Sequence, residues 1–185
     1  MIPSATSEGP LWVFGYGSVI WRPAFPFIEA HSAILHGYVR RFWQGSPDHR
    51  GTPTKPGRVV TLVPRAGGVC HGRVFQVEPA QRAAVLTLLD ERESGGYERR
   101  WLEVETDERT LEVLTYIASM ENANFLGEVP LADVVEQVLM ARGQSGDNVT
   151  YVLELERALA SLSIVDAHVR ELAEALRERL ESPDR

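Results

Sequence analysis

The sequence predicts an α+β fold: a mostly antiparallel, curved or barrel-like sheet of about six strands, one inserted helix, and helices at the C-terminal end. Two observations support this prediction. Short segments rich in β-branched and aromatic residues, bounded by turn signals, lie before residue 118, and helical periodicity begins after Pro130. Strands first and helices last are typical of an α+β domain, and 185 residues, 44% of them hydrophobic, suffice for one buried core.

The predicted strands are short and are separated by turns, which favours antiparallel pairing in a curved or closed sheet. Between the third and the fourth of them, Arg65-Ala66-Gly67-Gly68 is a turn signal. Residues 43–57 are rich in Gly, Pro, Ser and charge and are predicted to form a long loop near a functional edge. The predicted strands are residues 11–14, 33–42, 59–64, 69–76, 101–105 and 110–117.

One helix is predicted to interrupt the strands. It starts at Glu78-Pro79, carries apolar residues on one face and stops at Gly95-Gly96, so that Glu93 lies just beyond its end. Asn148 is predicted to cap the second of three C-terminal helices. These helices are predicted over residues 131–142, 149–162 and 164–180.

The same pattern predicts the domain organisation. We expect a flexible N-terminus over residues 1–10 and a single domain over residues 11–181, whose helical part covers about 131–181. The last four residues, 182–185, are predicted to be disordered.

Charge and hydropathy exclude several classes of function. The net charge is −7, and no basic stripe interleaves with aromatic residues, so a nucleic-acid partner is not expected. No apolar run approaches the roughly 18 residues that a membrane span requires. The first ten residues lack a basic segment followed by an apolar one, which is the mark of a secretory signal. We therefore expect no membrane partner.

The cysteine and histidine content predicts a reducing, cytoplasmic setting and no bound metal. Cys70 is the only cysteine of the sequence, so no intramolecular disulfide can form. The histidines do not have the spacing of a metal site, and the sequence has no phosphate-binding motif that would indicate a nucleotide cofactor. The five histidines are His31, His36, His49, His71 and His168.

The segment from Leu11 to Pro23 carries the strongest functional signal, because an apolar strand runs directly into a loop containing Gly15 and Gly17. Glycine tolerates positive φ and has no side chain to hold a ligand away, so successive amides can converge on one oxygen or carboxylate. The dinucleotide-binding fingerprint is excluded because Ile20 stands where it requires a third glycine. On the residues alone, a tight turn after a core strand explains the glycines equally well.

Tyr16-Gly17-Ser18, followed by Val19-Ile20-Trp21-Arg22-Pro23, resembles the signature loop of the gamma-glutamylcyclotransferases, specifically of the ChaC branch, which degrades glutathione. The resemblance spans residue 11 to about residue 180. Three substitutions depart from the usual family pattern: Val19 for Leu, Ser94 for Lys and Phe125 for Tyr. Further matching segments are residues 40–46, 48–53, 56–62, 89–97, 116–118, 122–127 and 143–146, with Asn148, Tyr151, Asp166 and His168.

The resemblance implies one catalytic residue, Glu93. A cluster of carboxylates at a helix end is by itself typical of a solvated surface. Glu93 matches the family's general acid/base, the Glu of its Arg-Glu-Lys-Gly-Gly-Tyr motif, and the two glycines behind it would let the side chain turn into a pocket. Ser94 removes a positive charge beside this carboxylate. The cluster consists of Asp90, Glu91, Glu93 and Glu98.

The resemblance also implies the substrate contacts. Loop amides would donate hydrogen bonds either to a developing oxyanion or to the α-carboxylate of the substrate. Tyr116 matches a tyrosine that lines the family's pocket, although a strand tyrosine satisfied by the backbone is an equal alternative. The implied contacts are Val13, Phe14, Gly15, Tyr16, Gly17, Ser18, Val19 and Tyr116, with Arg40, Arg41, Gln44 and Arg50 as candidates for the glycine end of glutathione.

The implied reaction is an intramolecular aminolysis, in which the α-amino group of a γ-glutamyl moiety attacks its own γ-carbonyl. Glutathione would yield 5-oxoproline and cysteinylglycine without a cofactor, because the nucleophile and the electrophile share one molecule. Two alternatives stay open: a cyclotransferase for other γ-glutamyl amino acids or amines, and a non-catalytic regulator of cation transport. The sequence leaves the oligomeric state open.

Overall fold

The computed structural model describes residues 9–182 and contains the predicted succession of strands and helices. Most of the predicted flexible N-terminus and residues 183–185 lie outside the described residues. The strands are β1 (Leu11–Gly15), β2 (Phe27–Ser46), β3 (Gly57–Val77), β4 (Tyr97–Glu105), β5 (Thr110–Ala118) and the two-residue pair β6 (Arg142–Gly143) and β7 (Gly146–Asp147). The α-helices are α1 (Arg82–Arg92), α2 (Leu131–Met140), α3 (Asn148–Ser161) and α4 (Ala167–Glu181).

The long strands form a closed barrel in the order β1-β3-β2-β4-β5. Neighbours pair antiparallel except at the closure, where Val13 of β1 pairs with Leu114 of β5 in parallel. The predicted α+β class with a barrel-like sheet is therefore confirmed. β6 and β7 form a separate hairpin ahead of α3.

The described barrel has five strands, because the predicted strands 59–64 and 69–76 are two halves of β3. Tyr38 of β2 pairs with Pro64 and His36 pairs with Val69, so residues 65–68 stand opposite the single residue Gly37. The glycines there mark a β-bulge inside one strand, not a turn between two. The predicted loop over 43–57 is also shorter, since β2 continues to Ser46 and β3 begins at Gly57.

The predicted role of Asn148 as an N-cap is wrong. The Asp147 side chain caps α3 by accepting a hydrogen bond from the Thr150 amide. Asn148 is fully buried, and its side chain bonds both the amide and the carbonyl of Arg58 on β3, at 2.6 and 2.8 Å. This buried amide satisfies the backbone of β3 where the strand meets α3.

Two hydrophobic clusters meet at β1. Trp12 and Phe14 belong to the larger cluster, which fills the barrel and continues beneath α2, α3 and α4. Leu11 and Val13 belong to the smaller cluster, which α1 covers with Val85 and Leu89. Because all five residues of β1 are buried, its C-terminal residue, Gly15, is held between the interior of the barrel and α1.

No helix among residues 9–182 is both long enough and apolar enough to span a membrane.

Candidate active site

A cleft with a volume of about 310 Å³ opens at the end of β1. This size suits a small-molecule ligand. The end of α1, the start of β4, β5 and the β2–β3 loop form its other walls. Among its lining residues are Val13, Phe14, Gly15, Tyr16, Gly17, Ser18, Val19, Arg50, Glu93 and Tyr116, which the sequence had selected from separate parts of the chain.

Glu93 lies at the C-terminal end of α1, where its amide still donates to the Leu89 carbonyl. Its side chain is only 19% exposed and lines the cleft. Burial raises the pKa of the Glu93 carboxyl above its ordinary value, while the positive charge of Arg92 opposes that rise. A carboxyl with a raised pKa is suited both to accepting and to returning a proton.

The turn after Glu93 is held from beneath by side-chain amides. Gln44 and Asn124 donate to the Gly95 carbonyl at 3.1 and 3.2 Å, and Gln44 exchanges two hydrogen bonds with Asn122. Gly96 has a φ of +105°, and a Cβ there would lie 2.6 Å from Oδ1 of Asn122. Glycine is therefore required at the second position of the Gly95-Gly96 pair.

Gln44 supports this turn and does not line the cleft, contrary to the expectation that it holds the glycine end of glutathione. Arg41 also lies outside the cleft lining, and its guanidinium donates to the Arg40 carbonyl. Arg40 is fully buried, paired with Asp166 at 2.5 Å, and donates to the Tyr16 carbonyl at 2.7 Å. Of these candidates, the structure brings only Arg50 to the cleft.

The glycines of the glycine loop (residues 15–19) are needed for space, not for a left-handed backbone. Neither Gly15 nor Gly17 has a positive φ. A Cβ on Gly15 would lie 2.8 Å from Cγ1 of Val19, and one on Gly17 would lie 3.0 Å from Cγ2 of Val60. Both glycines thus allow close packing within the protein, and neither uses the positive φ that glycine tolerates.

The glycine loop leaves several amides available to a ligand. Ile20 and Arg22 donate to the carbonyls of Gly17 and Ser18, which closes a short 3₁₀ turn. Within the part of the chain that the structure describes, no group accepts a hydrogen bond from the amides of Gly17, Ser18 or Val19. Such adjacent N–H groups at the wall of a cleft can bind an anionic oxygen.

Three tyrosines interact electrostatically with Glu93: Tyr16 and Tyr151, which are buried, and Tyr97, which is partly buried. Burial, and then nearby groups that include the Glu93 charge, raise the pKa of Tyr16 and Tyr97 well above its usual value, and burial raises that of Tyr151 to about 12. All three stay neutral, so Glu93 shares its pocket with uncharged aromatic rings. The sequence analysis gave Tyr97 and Tyr151 no role in the site; their only signal was the family resemblance.

Tyr116 is buried and lines the cleft, and its hydroxyl donates to Asp90 at 2.7 Å. The alternative of a hydroxyl satisfied by the backbone is therefore wrong. The Tyr116 carbonyl accepts from the Tyr16 hydroxyl at 2.6 Å, which ties β5 to the end of β1.

The wall formed by residues 45–50 is polar. The Arg50 guanidinium lies 5.4 Å from the centre of the Tyr151 ring and donates to the Asp147 carbonyl at 3.1 Å. His49 bonds the Ser145 hydroxyl through Nδ1 at 2.9 Å. This wall places a cation in the same cleft as Glu93. Among residues 9–182, no three His, Cys, Asp or Glu residues form a group that could hold a metal ion.

Comparisons with known proteins relate most of the chain to one group. A family model described as ChaC-like protein matches residues 11–179. Gamma-glutamylcyclotransferase 2-3 of Arabidopsis thaliana is 44% identical over 177 residues, covering 90% of this chain and 88% of that protein. Glutathione-specific gamma-glutamylcyclotransferase 1 of Homo sapiens is 36% identical over 173 residues, covering 90% and 78%. The crystal structure of a gamma-glutamyl cyclotransferase specific to glutathione from yeast has a TM-score of 0.87 at 30% identity, covering 92% of this chain and 97% of that chain.

Proposed function

The chain belongs to the ChaC-like protein family, and from this premise we propose that it is a glutathione-specific gamma-glutamylcyclotransferase. The observation that carries the proposal for this cleft is that the buried Glu93 carboxyl and the glycine loop line it together. In the proposed reaction the α-amino nitrogen attacks the γ-carbonyl carbon, a five-membered lactam closes, and the bond to the cysteinyl nitrogen breaks. The products are 5-oxoproline and cysteinylglycine.

Glu93 is the general acid/base of this reaction. The α-ammonium of the substrate becomes a nucleophile only after it loses a proton, and the departing nitrogen must gain one. The Glu93 carboxylate takes one proton from the α-nitrogen and delivers it to the departing nitrogen. The α-nitrogen loses a second proton as the lactam forms, and the released amino group gains one as it becomes an ammonium, so the reaction consumes no net proton. The raised pKa of Glu93 in its aromatic pocket supports this double role.

The glycine loop binds an anionic oxygen of the γ-glutamyl moiety. The amides of Gly17, Ser18 and Val19 suit either the α-carboxylate or the oxyanion that develops on the γ-carbonyl. A donor aimed at a developing oxyanion contributes about 3 to 4 kcal/mol of transition-state stabilisation. The close packing of Gly15 against Val19 keeps this loop rigid.

Arg50 holds the glycine carboxylate of glutathione. Arg50 is the one residue among those proposed for this end that lines the cleft, and its guanidinium suits a carboxylate. A leaving group without this carboxylate would leave the cation unpaired, which lowers the reactivity of simple γ-glutamyl dipeptides.

The proposed reaction needs neither a metal nor a redox cofactor, because closing a ring within one bound molecule depends on orientation and proton transfer. We also propose a cytoplasmic location. The single thiol, Cys70, is fully buried, so no described disulfide requires an oxidising compartment.

The test is kcat/KM for reduced glutathione against γ-glutamyl-alanine, with one protein preparation and 5-oxoproline as the measured product. We expect glutathione to be preferred by at least about tenfold, because the dipeptide leaves polar groups of the cleft unpaired. Equal values, or a preference for the dipeptide, would point to a cyclotransferase for other γ-glutamyl compounds. Absence of 5-oxoproline from every γ-glutamyl substrate would point to a non-catalytic protein.

A further inference from the structure

Arg92, the residue before Glu93, connects the end of α1 to the glycine loop and to the residues that follow it. One terminal nitrogen, Nη2, donates to the Ser18 hydroxyl at 2.6 Å. The other, Nη1, donates to the carbonyls of Arg22 and Pro23 at 2.8 and 3.2 Å. Nε lies 3.4 Å from Oε1 of Glu93. One side chain thus contacts the acid/base and both ends of the segment that contains the 3₁₀ turn.

We propose that Arg92 is a positioning residue, which holds the Glu93 carboxyl against the glycine loop through the Ser18 hydroxyl. The proposal rests on the proposed function. It also assigns the Ser18 side chain to Arg92, so that Ser18 reaches the substrate only through its backbone.

The geometry of the contacts supports this role over that of a surface ion pair. The Arg92 and Glu93 side chains are only 20% and 19% exposed, so water competes weakly for these hydrogen bonds. A planar guanidinium can serve Ser18 on one terminal nitrogen and two carbonyls on the other at the same time. A lysine ammonium is a single point charge and cannot serve the same set of acceptors.

The charge of Arg92 also acts on the protonation of Glu93. Burial raises the pKa of Glu93, and Arg92 lowers it. From the other segments packed around this carboxyl, Tyr16 of the glycine loop, Tyr97 of β4 and Tyr151 of α3 interact with its charge, and all three are neutral. Removing the Arg92 charge must therefore move the pKa of Glu93 upward. The other charged or titratable residues lining the cleft are Arg22, Asp48, His49, Arg50 and Tyr116.

The experiment is a double-mutant cycle on kcat, with Ser18→Ala, Arg92→Gln and the double variant, using glutathione as substrate. A hydrogen bond from a charged group to Ser18 predicts a loss of roughly tenfold for Ser18→Ala, and of roughly 10- to 100-fold for Arg92→Gln. If Ser18 acts through Arg92, the double variant loses no more than Arg92→Gln alone. KM should stay within about threefold in each case, because substrate contacts are unchanged.

A pH profile provides the readout that a purely structural role would not move. The limb of kcat/KM that rises with pH, where Glu93 loses its proton, should shift to higher pH in Arg92→Gln. It should stay in place in Ser18→Ala and in Arg92→Lys, because both keep the positive charge. Arg100→Gln is the matched control, since that exposed arginine pairs with Glu98 away from the cleft, and it should behave like the parent in rate and profile.

Multiplicative losses in the double variant, or an unmoved limb in Arg92→Gln, would overturn the proposal. Either result can be interpreted only if the parent protein releases 5-oxoproline from glutathione. A parent that releases none contradicts the proposed function instead, so the two failures are distinguishable. Circular dichroism of each variant identifies losses that come from unfolding. If Arg92→Gln fails to fold, Arg92→Lys provides the test: it should lose kcat with an unmoved limb, because lysine keeps the charge but cannot serve the same acceptors, and a parental kcat would overturn the proposal.

Discussion

The substitution Gly96→Ala should damage the turn that carries Glu93 into the cleft, whereas Gly95→Ala should not. The backbone at Gly96 has a φ of +105°, and a Cβ there would lie 2.6 Å from Oδ1 of Asn122. A Cβ on Gly95 would meet no atom within 4 Å, and its φ is not positive. The two neighbouring glycines therefore form a matched pair.

The cost of Gly96→Ala has two parts. A non-glycine residue held at such a φ costs about 1 to 3 kcal/mol. Displacing Asn122 weakens its hydrogen bonds with Gln44, both at 3.0 Å, and each such bond contributes about 0.5 to 1.5 kcal/mol. Together these predict a loss of about 2 to 6 kcal/mol in the free energy of unfolding. For a chain of this length, that corresponds to a fall in Tm of about 5 to 20 °C.

The assay is thermal unfolding by circular dichroism, combined with kcat on glutathione at a temperature where every variant is folded. Gly96→Ala should lower both Tm and kcat, because Asn122 and Gln44 hold the backbone two residues after Glu93. Gly95→Ala should leave Tm within about 2 °C of the parent, as a substitution without strain or collision does. Equal effects of the two substitutions, or an unchanged Tm in Gly96→Ala, would refute this account of the turn.

Three further predictions concern the chemistry of the cleft. Because burial raises the pKa of Glu93, the limb of kcat/KM that rises with pH should lie above pH 4.5, the ordinary pKa of a glutamate carboxyl. A limb at or below pH 4.5 would contradict the assignment of Glu93 as the general acid/base. Activity should survive exhaustive EDTA treatment, and a loss of activity that a divalent metal then restores would contradict the proposal that no metal is needed. Cys70→Ala should keep the parental rate at temperatures where it is folded. Arg50→Ala should raise KM for glutathione by about 10- to 100-fold and change KM for γ-glutamyl-alanine far less, since only glutathione offers the distant carboxylate; equal changes would place Arg50 outside the glycine subsite.

The parts of the fold that could be predicted from sequence are those with a local signal. β1 is a short apolar run before a glycine, and the three C-terminal helices carry helical periodicity, so each was identified to within a few residues. The bulge at residues 65–68 was interpreted as a turn because glycine favours both structures, and only pairing with β2 distinguishes them. The N-cap was misplaced by one residue because Asp147 and Asn148 are both good caps, and the buried bond to Arg58 is a long-range contact.

The site was predictable to a different degree. The glycine loop is a local pattern, and the structure brings all of it to the cleft. Glu93 was singled out by the family resemblance, because four acidic residues near one helix end cannot be ranked by spacing alone. Gln44 was assigned to the substrate, yet it supports the turn after Glu93. Its partners Gly95 and Asn122 lie 51 and 78 positions further along the chain, so no local pattern could identify them. The pairing of Arg92 with Ser18, 74 positions apart, has no local signal either.

The most direct test of the central claim is the release of 5-oxoproline and cysteinylglycine from reduced glutathione, measured for the parent, Glu93→Gln and Glu91→Gln. Glu91 is an exposed member of the same acidic cluster and provides the control. The parent should release the two products in equal amounts, and Glu91→Gln should match its rate. Glu93→Gln keeps the size of the side chain but cannot accept the proton, so it should lose about 10²- to 10⁴-fold in kcat with little change in KM. A parent that releases no 5-oxoproline, or a Glu93→Gln variant that turns over glutathione at the parental rate, would contradict the account.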